Sequence, residues 1–288
     1  MNWKYAYKKY SNKIIDIYVI IFGRPIFKKF NLFLFNLSKR GLGLNNVTRG
    51  IPFFNSEYFE GEIELLKKIT QYHNLNKNIF IDVGANDGSM VNKIIKNNKK
   101  INFCLFEPNP FNYKRLIKNI KKNKKIKLYN VALGSKNSLL KMFDYKKTGS
   151  KLSSSNKKNL KYQINKKIFS FNIKVKKLDS FNFIKRVKII KIDVEGDELS
   201  VLLGAKKMIN KFNPIIFLEF NSTHVFSRTF LKDILKVLKN YKVYRILPGG
   251  KIISLSDKYN TSEYEIFSFQ NLLFLPIKER EKIMKILN

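Results

Sequence analysis

An α/β fold, with a mostly parallel sheet carrying helices on both faces, is what the sequence predicts. Three observations lead there. Short apolar runs alternate with helix-like stretches between residues 60 and 133, in the order β-α-β-α-β after a first helix. Several of those runs end in an acid, at Asp82, Glu107, Asp193 and Glu219. A small-residue turn, Gly84-Ala85-Asn86-Asp87-Gly88, links the first strand to the next helix. With 288 residues and 44% hydrophobic content, the chain can bury a sizeable core.

Residues 1–57 read as a basic, apolar and aromatic appendage of helical character. The apolar runs 14–22 and 30–37 are each too short to span a bilayer. Arg24-Pro25 follows the first run where a signal peptide would need a small-residue cleavage site. The appendage therefore packs on the domain or lies on an anionic membrane face as an amphipathic helix. Residues 51–57 read as a linker, and the main domain spans 58–288.

Residues 60–72 predict a helix, with Ile63, Leu65, Leu66 and Ile69 on one side and His73 at its end. Residues 79–83 predict a buried strand with Asp82 at its C-terminal end. The turn that follows has G-x-x-x-G spacing and no lysine-serine or lysine-threonine pair, which excludes a dinucleotide pyrophosphate site and a P-loop. An acid before the turn suits a ligand with a cationic end, such as the amino group of S-adenosylmethionine. The second strand, 101–106, ends at Glu107. A carboxylate there is placed to accept hydrogen bonds from ribose hydroxyls. A helix over 111–120 and a strand over 126–133 follow.

From about 135 to 180 the alternation breaks. Strands at 139–145 and 168–178 flank a Lys- and Ser-rich segment, which reads as an insertion near the active face. A fourth parallel strand, 187–192, ends in Asp193-Val194-Glu195-Gly196-Asp197-Glu198. A helix over 199–210, a fifth strand over 215–220, a helix over 230–238, a strand over 241–247, a last strand over 271–275 and a terminal helix over 278–287 complete the pattern. Asp193, Glu195, Glu219 and His224 sit at the carboxyl ends of strands four and five. They are the candidate catalytic bases. Asp193, Glu219 and Asn221 carry oxygens that Mg²⁺ could take, but no metal is expected.

The net charge of +36 suggests a polyanionic partner, yet Lys outnumbers Arg 49 to 8, and Asn, Ile, Phe and Tyr are abundant. That is the residue set of A/T-rich codons, and dedicated phosphate readers lean on Arg. Compositional drift is therefore the main reading of the charge. Cys104 is the only cysteine, so no intrachain disulfide forms, a reducing compartment fits, and a His/Cys zinc site is excluded in practice.

Taken together, IDVGANDGS (81–89), FEPNP (106–110), NVALG (130–134), KIDVEGDEL (191–199) and FLEFN (217–221) resemble the FkbM family of S-adenosylmethionine-dependent methyltransferases. The resemblance covers about residues 58–276, and the motif order makes it specific. Asp87 stands where the family commonly has Ile or Tyr. The resemblance implies a class I methyltransferase (Rossmann-like) fold with a seven-stranded sheet. It implies that Asp82, Gly84, Ala85, Asn86 and Gly88 line the methionine end of the cofactor. Glu107 would hold the ribose, with Pro108 and Asn109 beside it, and Val131 and Ala132 would lie against the adenine. The expected activity is O-methylation of a sugar hydroxyl on a small-molecule or glycan acceptor, in the cytoplasm or at the inner membrane face. The alternatives are an RNA methyltransferase or a basic membrane-surface protein. Nucleic acid is not the expected partner, since no Asn-Pro-Pro-Tyr or Asp-Pro-Pro-Tyr motif follows strand four.

Overall fold

The structure is a computed structural model that describes residues 14–15, 17–41, 61–72, 78–98, 101–120, 123–183, 185–255 and 270–287. It divides into two compact units, Met1–Leu44 and Asn45–Asn288. The expected 57/58 boundary, the linker and His73 lie outside the described residues.

In the first unit, residues 17–22 are helical, and a short 3-10 turn Pro25–Phe27 leads into α1 (Lys28–Gly41). Phe22 ties the two helices together. Its ring meets those of Tyr18, Phe27 and Phe30 with centroids 5.0, 5.1 and 5.6 Å away. Asn31 Nδ2 donates to the Phe22 carbonyl at 2.7 Å.

The second unit contains β1 (Asn78–Val83), β2 (Asn102–Phe106), β3 (Ile126–Tyr129), β4 (Ala132–Leu133), β5 (Ser138–Asp144), β6 (Phe169–Lys176), β7 (Arg186–Ile192), β8 (Ile215–Phe220), β9 (Tyr241–Ile246), β10 (Ile252–Ser254) and β11 (Gln270–Pro276). Its main sheet has the order β10-β9-β11-β8-β7-β1-β2-β3. Strands β3, β2, β1, β7 and β8 are parallel, and β11 runs antiparallel to both β8 and β9. This is a class I methyltransferase fold with eight strands where seven were expected. The extra strand follows the turn at Pro248–Gly250, where Gly249 and Gly250 take φ of +72° and +73° and send β10 back along β9.

Buried parallel strands need both faces covered, and the period-2 alternation supplies two core layers. Phe80, Phe103, Leu105, Ile189 and Phe217 point one way. They meet Leu65, Leu66 and Ile69 of α2 (Gly61–Tyr72), Val91 and Ile94 of α3 (Ser89–Asn97) and Leu116 of α4 (Pro110–Asn119). Ile79, Ile81, Ile190, Ile192 and Ile216 point the other way. They meet the helices α6 (Glu198–Leu203), α7 (Lys206–Phe212) and α9 (Leu231–Val237). Each fully buried aliphatic or aromatic side chain contributes about 1.5–3 kcal/mol.

Two elements differ from the sequence reading. The single strand expected over 126–133 divides, because β4 leaves the main sheet and pairs with β6 in a three-stranded sheet of order β4-β6-β5. The helix expected over 199–210 breaks at Gly204-Ala205. A Cβ on Gly204 would lie 2.0 Å from the Gly134 carbonyl, so β4 and this helix pair approach through the glycine. Two short helices were not foreseen, α5 (Lys157–Gln163) inside the polar insertion and α8 (Thr223–Ser227) after β8. The C-terminal helix α10 starts at Arg280, later than expected.

Candidate active site

The strand order reverses between β1 and β7, each continuing outward to its own side of the sheet. A crevice forms at the carboxyl ends at such a switch point. The turn after β1 enters it. Gly84 and Ala85 N–H both donate to the Phe106 carbonyl, at 2.9 and 3.0 Å, and Asp193 N–H donates to the Val83 carbonyl at 3.0 Å. Gly84 sits at φ +87°, and a Cβ there would fall 1.9 Å from the Asp193 carbonyl oxygen. Only glycine lets these two loops meet.

Asp82 is buried beneath this turn, and its Oδ1 has no hydrogen-bond partner. Burial pushes its carboxyl up to about 6; Lys191 counters the rise and Asp193 adds to it. Asn86, at φ +50°, also leaves Oδ1 buried and unpartnered. The Asn86 N–H donates to Glu107 Oε2 and the Asn109 N–H to Glu107 Oε1, both at 2.8 Å. These bonds fix the second carboxylate against the turn. Burial outweighs them and pushes Glu107 up to about 7.

The acidic run after β7 is ordered from behind. Glu198 is buried, and its Oε1 accepts from Val194 N–H at 3.0 Å and Gly196 N–H at 3.3 Å. Its Oε2 faces His224 Nε2 at 2.9 Å, and His224 is fully buried. The turn holds Glu195 at φ +59°, and the Glu195 carbonyl accepts from Ser154 Oγ and Asn159 Nδ2. Lys191 Nζ donates to Asp193 Oδ2 at 2.9 Å. Glu219 is pushed well above the carboxylate range by burial and by Asp193, Glu195 and Glu198, and it accepts from Asn221 Nδ2. Its side chain lines the cavity beside Asp193 and Glu195.

The insertion forms a roof. Asp144, at the end of β5, is buried and accepts five hydrogen bonds. Tyr145 N–H (2.6 Å) and Lys146 N–H (3.0 Å) donate to Oδ1; Ser150 N–H (2.9 Å), Ser153 Oγ (2.7 Å) and Asn109 Nδ2 (2.9 Å) donate to Oδ2. Burial alone would raise this carboxyl, but the bonds from Lys146, Ser150 and Ser153 outweigh it and hold it below its ordinary value. On the other side of the roof, Ser155 Oγ donates to Asp197 Oδ2, tying it to the acidic run.

Between floor and roof lies a cavity of about 1680 Å³. Asp82, Gly84, Ala85, Asn86, Glu107, Pro108, Val131, Ala132, Asp193, Glu195 and Glu219 all line it. Three expected residues do not. Gly88 packs behind the turn, where a Cβ would meet Leu116 and Ile120. Asn109 caps α4, its Oδ1 accepting from Phe111 and Asn112 N–H. His224 lies under the acidic run, facing Glu198 rather than the cavity, so its proposed place as a base is corrected to one of support. Among the described residues, no group of three His, Cys, Asp or Glu is placed to hold a metal ion.

A profile of the methyltransferase FkbM domain matches residues 82–246, more than half of the chain, from the first strand-end acid to the end of β9. The chain belongs to the FkbM methyltransferase family. It is similar to the 2-O-methyltransferase NoeI of Sinorhizobium fredii, with 23% identity over 184 residues that span 60% of this chain and 75% of that one. Among solved structures, methyltransferase FkbM from Methylobacillus flagellatus KT shares 16% identity at a TM-score of 0.43. That match covers 69% of this chain and 44% of the other, less than half of its length. The plantazolicin methyltransferase BpumL, solved with a triazolic desmethyl analogue and SAH, shares 12% identity at a TM-score of 0.41 over 84% of this chain and 92% of the other.

The FkbM region also contains site residues that the sequence reading passed over: Lys191, Glu198, Asp144 and Ser153. Lys191 carried a signal, a lysine between Ile190 and Ile192 in a strand buried on both faces. Asp144 carried none, because only the fold brings it to Asn109, 35 residues earlier.

Proposed function

We propose that this protein is an S-adenosylmethionine-dependent methyltransferase that O-methylates a sugar hydroxyl. The observation that carries the reading is the pair of buried, unpartnered oxygens on Asp82 and Asn86, set beside Glu107 in one crevice. Unpartnered buried acceptors are costly and mark a place for ligand donors. The residues fit the cofactor: Asp82 suits its ammonium, Glu107 its ribose diol, and Gly84 leaves room for close backbone approach. Bound there, the cofactor supplies an electrophilic methyl group. The chain orients the acceptor, excludes water beneath the roof, and takes the hydroxyl proton at Asp193 or Glu195. Transfer to an oxygen is supported by the likeness to the 2-O-methyltransferase NoeI, and the sugar by the family resemblance of the motifs. A cavity of this volume exceeds the roughly 300–1000 Å³ of a typical small-ligand site, which leaves space for cofactor and acceptor together. Calorimetric titration with S-adenosylmethionine should show micromolar binding. A folded protein that binds none overturns the reading.

We further propose that the Met1–Leu44 unit rests on an anionic bilayer. Ile20, Ile26 and Phe33 are 70%, 83% and 61% exposed, and Lys28 and Lys29 lie on the same helical pair. Each basic residue near an anionic surface contributes about 1 kcal/mol. Among the described residues, no helix is long and apolar enough to cross a membrane. The full chain should float with phosphatidylglycerol vesicles and not with phosphatidylcholine vesicles, and Ile20→Glu with Phe33→Glu should abolish flotation. Equal behaviour on both vesicles would sink the idea.

A further inference from the structure

We propose that Tyr145, Lys146, Lys151 and Lys157 form an acceptor subsite for a sugar that carries a phosphate ester. The inference rests on the methyl-transfer reading above and narrows its acceptor class. All four residues line the cavity, and the three lysines are exposed at its roof. The charge in the cavity is sorted by depth. Asp82, Glu107, Asp193, Glu195 and Glu219 belong to the strand-end floor, whereas residues 145–178 contain eleven lysines and no acid. A phosphate ester is repelled by Asp193 and Glu195 of the floor and drawn to the roof. The uncharged hydroxyl end of the same sugar is thereby left facing the acidic run, where the reacting carboxylates are. Charge sorting thus orients the acceptor as well as holding it.

Codon drift would leave lysines on any exposed loop, but this loop is built. Asp144 pins residues 145–153 from beneath with four hydrogen bonds, and a fifth, from Asn109, joins that carboxylate to the motif that bears Glu107. Arg115 adds a second clamp. Its Nη1 donates to the Thr148 carbonyl at 2.7 Å, and its guanidinium also reaches the Gly149 carbonyl. The Tyr145 ring offers a flat apolar face with a polar tip, and Lys146 Nζ and Lys166 Nζ each lie 5.6 Å from its centroid. A sugar seated against that ring would have its phosphate within reach of the ammonium groups held over it.

The test titrates glucose 1-phosphate, UDP-glucose and unmodified glucose into the full chain saturated with S-adenosylhomocysteine. The variants are Lys146→Gln/Lys151→Gln/Lys157→Gln and a charge-matched control, Lys68→Gln/Lys118→Gln/Lys206→Gln. Three exposed charge pairs predict roughly a tenfold loss of glucose 1-phosphate affinity in the first variant and none in the control. Glucose should bind both alike, and S-adenosylmethionine affinity should be unchanged throughout. Tighter binding of UDP-glucose through the same lysines identifies a diphosphate-borne sugar; parity identifies the monoester as sufficient. Equal losses in the two variants, or no preference for the phosphate ester over glucose, overturn the subsite. A protein that holds glucose 1-phosphate through these lysines but not S-adenosylmethionine keeps the subsite and overturns the methyl-transfer reading instead.

Discussion

Asp82→Asn should melt at a higher temperature than the wild-type protein, and both it and Glu107→Gln should lose roughly a hundredfold in affinity for S-adenosylmethionine. The two effects share one cause. Both carboxyls are buried, and burial is the largest influence on each. Raising Asp82 from 3.8 to about 6 costs the folded state about 3 kcal/mol at neutral pH, and raising Glu107 from 4.5 to about 7 costs a similar amount. Asp82→Asn removes that cost and keeps the shape, whereas Glu107→Gln turns an amide NH2 toward one of the two N–H groups that the carboxylate satisfies and loses that bond. In a chain of this size the gain is worth several degrees of melting temperature. The same change removes the charge that a cationic or diol-bearing ligand would meet, and hydrogen bonds to charged groups contribute about 1.5–3 kcal/mol. A variant less stable than wild type, with affinity intact, would show that these carboxylates serve the fold and not a ligand.

The pH dependence follows with a defined sign. A carboxyl whose folded value lies above its unfolded one stabilises the fold at low pH, and that stability is lost as pH rises through the folded value. Stability of the ligand-free protein should therefore fall between about pH 4 and 7 from these two groups. Affinity for the cofactor should climb over pH 6–7 and level off above, because the ionised forms are the ones that bind. Asp144 works the other way: held below its ordinary value, it stabilises the fold above that value and loses its contribution in acid.

Most of the sheet and the crevice at its switch point could be read from the chain because both are local in sequence. Strand runs, strand-end acids and the Gly84 turn each occupy a few consecutive residues, and buried parallel strands advertise themselves as unbroken apolar runs. What escaped was long-range. β4 reads as a continuation of β3, and only its pairing with Val175 and Lys176 moves it to the second sheet. The periodicity over 199–210 runs through Gly204, and only the approach of the Gly134 carbonyl to the space a side chain would need shows why the helix breaks there. His224 drew attention through its chemistry, yet its ring stacks near Phe220 with centroids 4.3 Å apart and turns its Nε2 inward. The function of a titratable side chain depends on which way it points, and sequence spacing around a short helix such as α8 does not fix that direction.

Glu198→Ala should destabilise the fold by about 3–5 kcal/mol. The side chain satisfies the N–H groups of Val194 and Gly196 with one oxygen and faces the fully buried His224 with the other. Alanine leaves all three polar groups without it at once, beneath a turn that already holds Glu195 in a left-handed conformation. Relaxation of that turn would shift Asp193 and Glu195 relative to the cavity, and a displacement of about 1 Å at reacting groups costs on the order of a hundredfold in rate. Glu198→Gln keeps a carbonyl for the two N–H groups, so it should retain more stability than alanine. The turnover number should fall further than the Michaelis constant rises in either variant, since neither residue 198 nor His224 lines the cavity. Urea denaturation of the single variants, of His224→Ala and of the double variant gives the coupling between the pair. An alanine variant within about 1 kcal/mol of wild type, or a pair whose losses simply add, would remove Glu198 and His224 from any part in holding the acidic run.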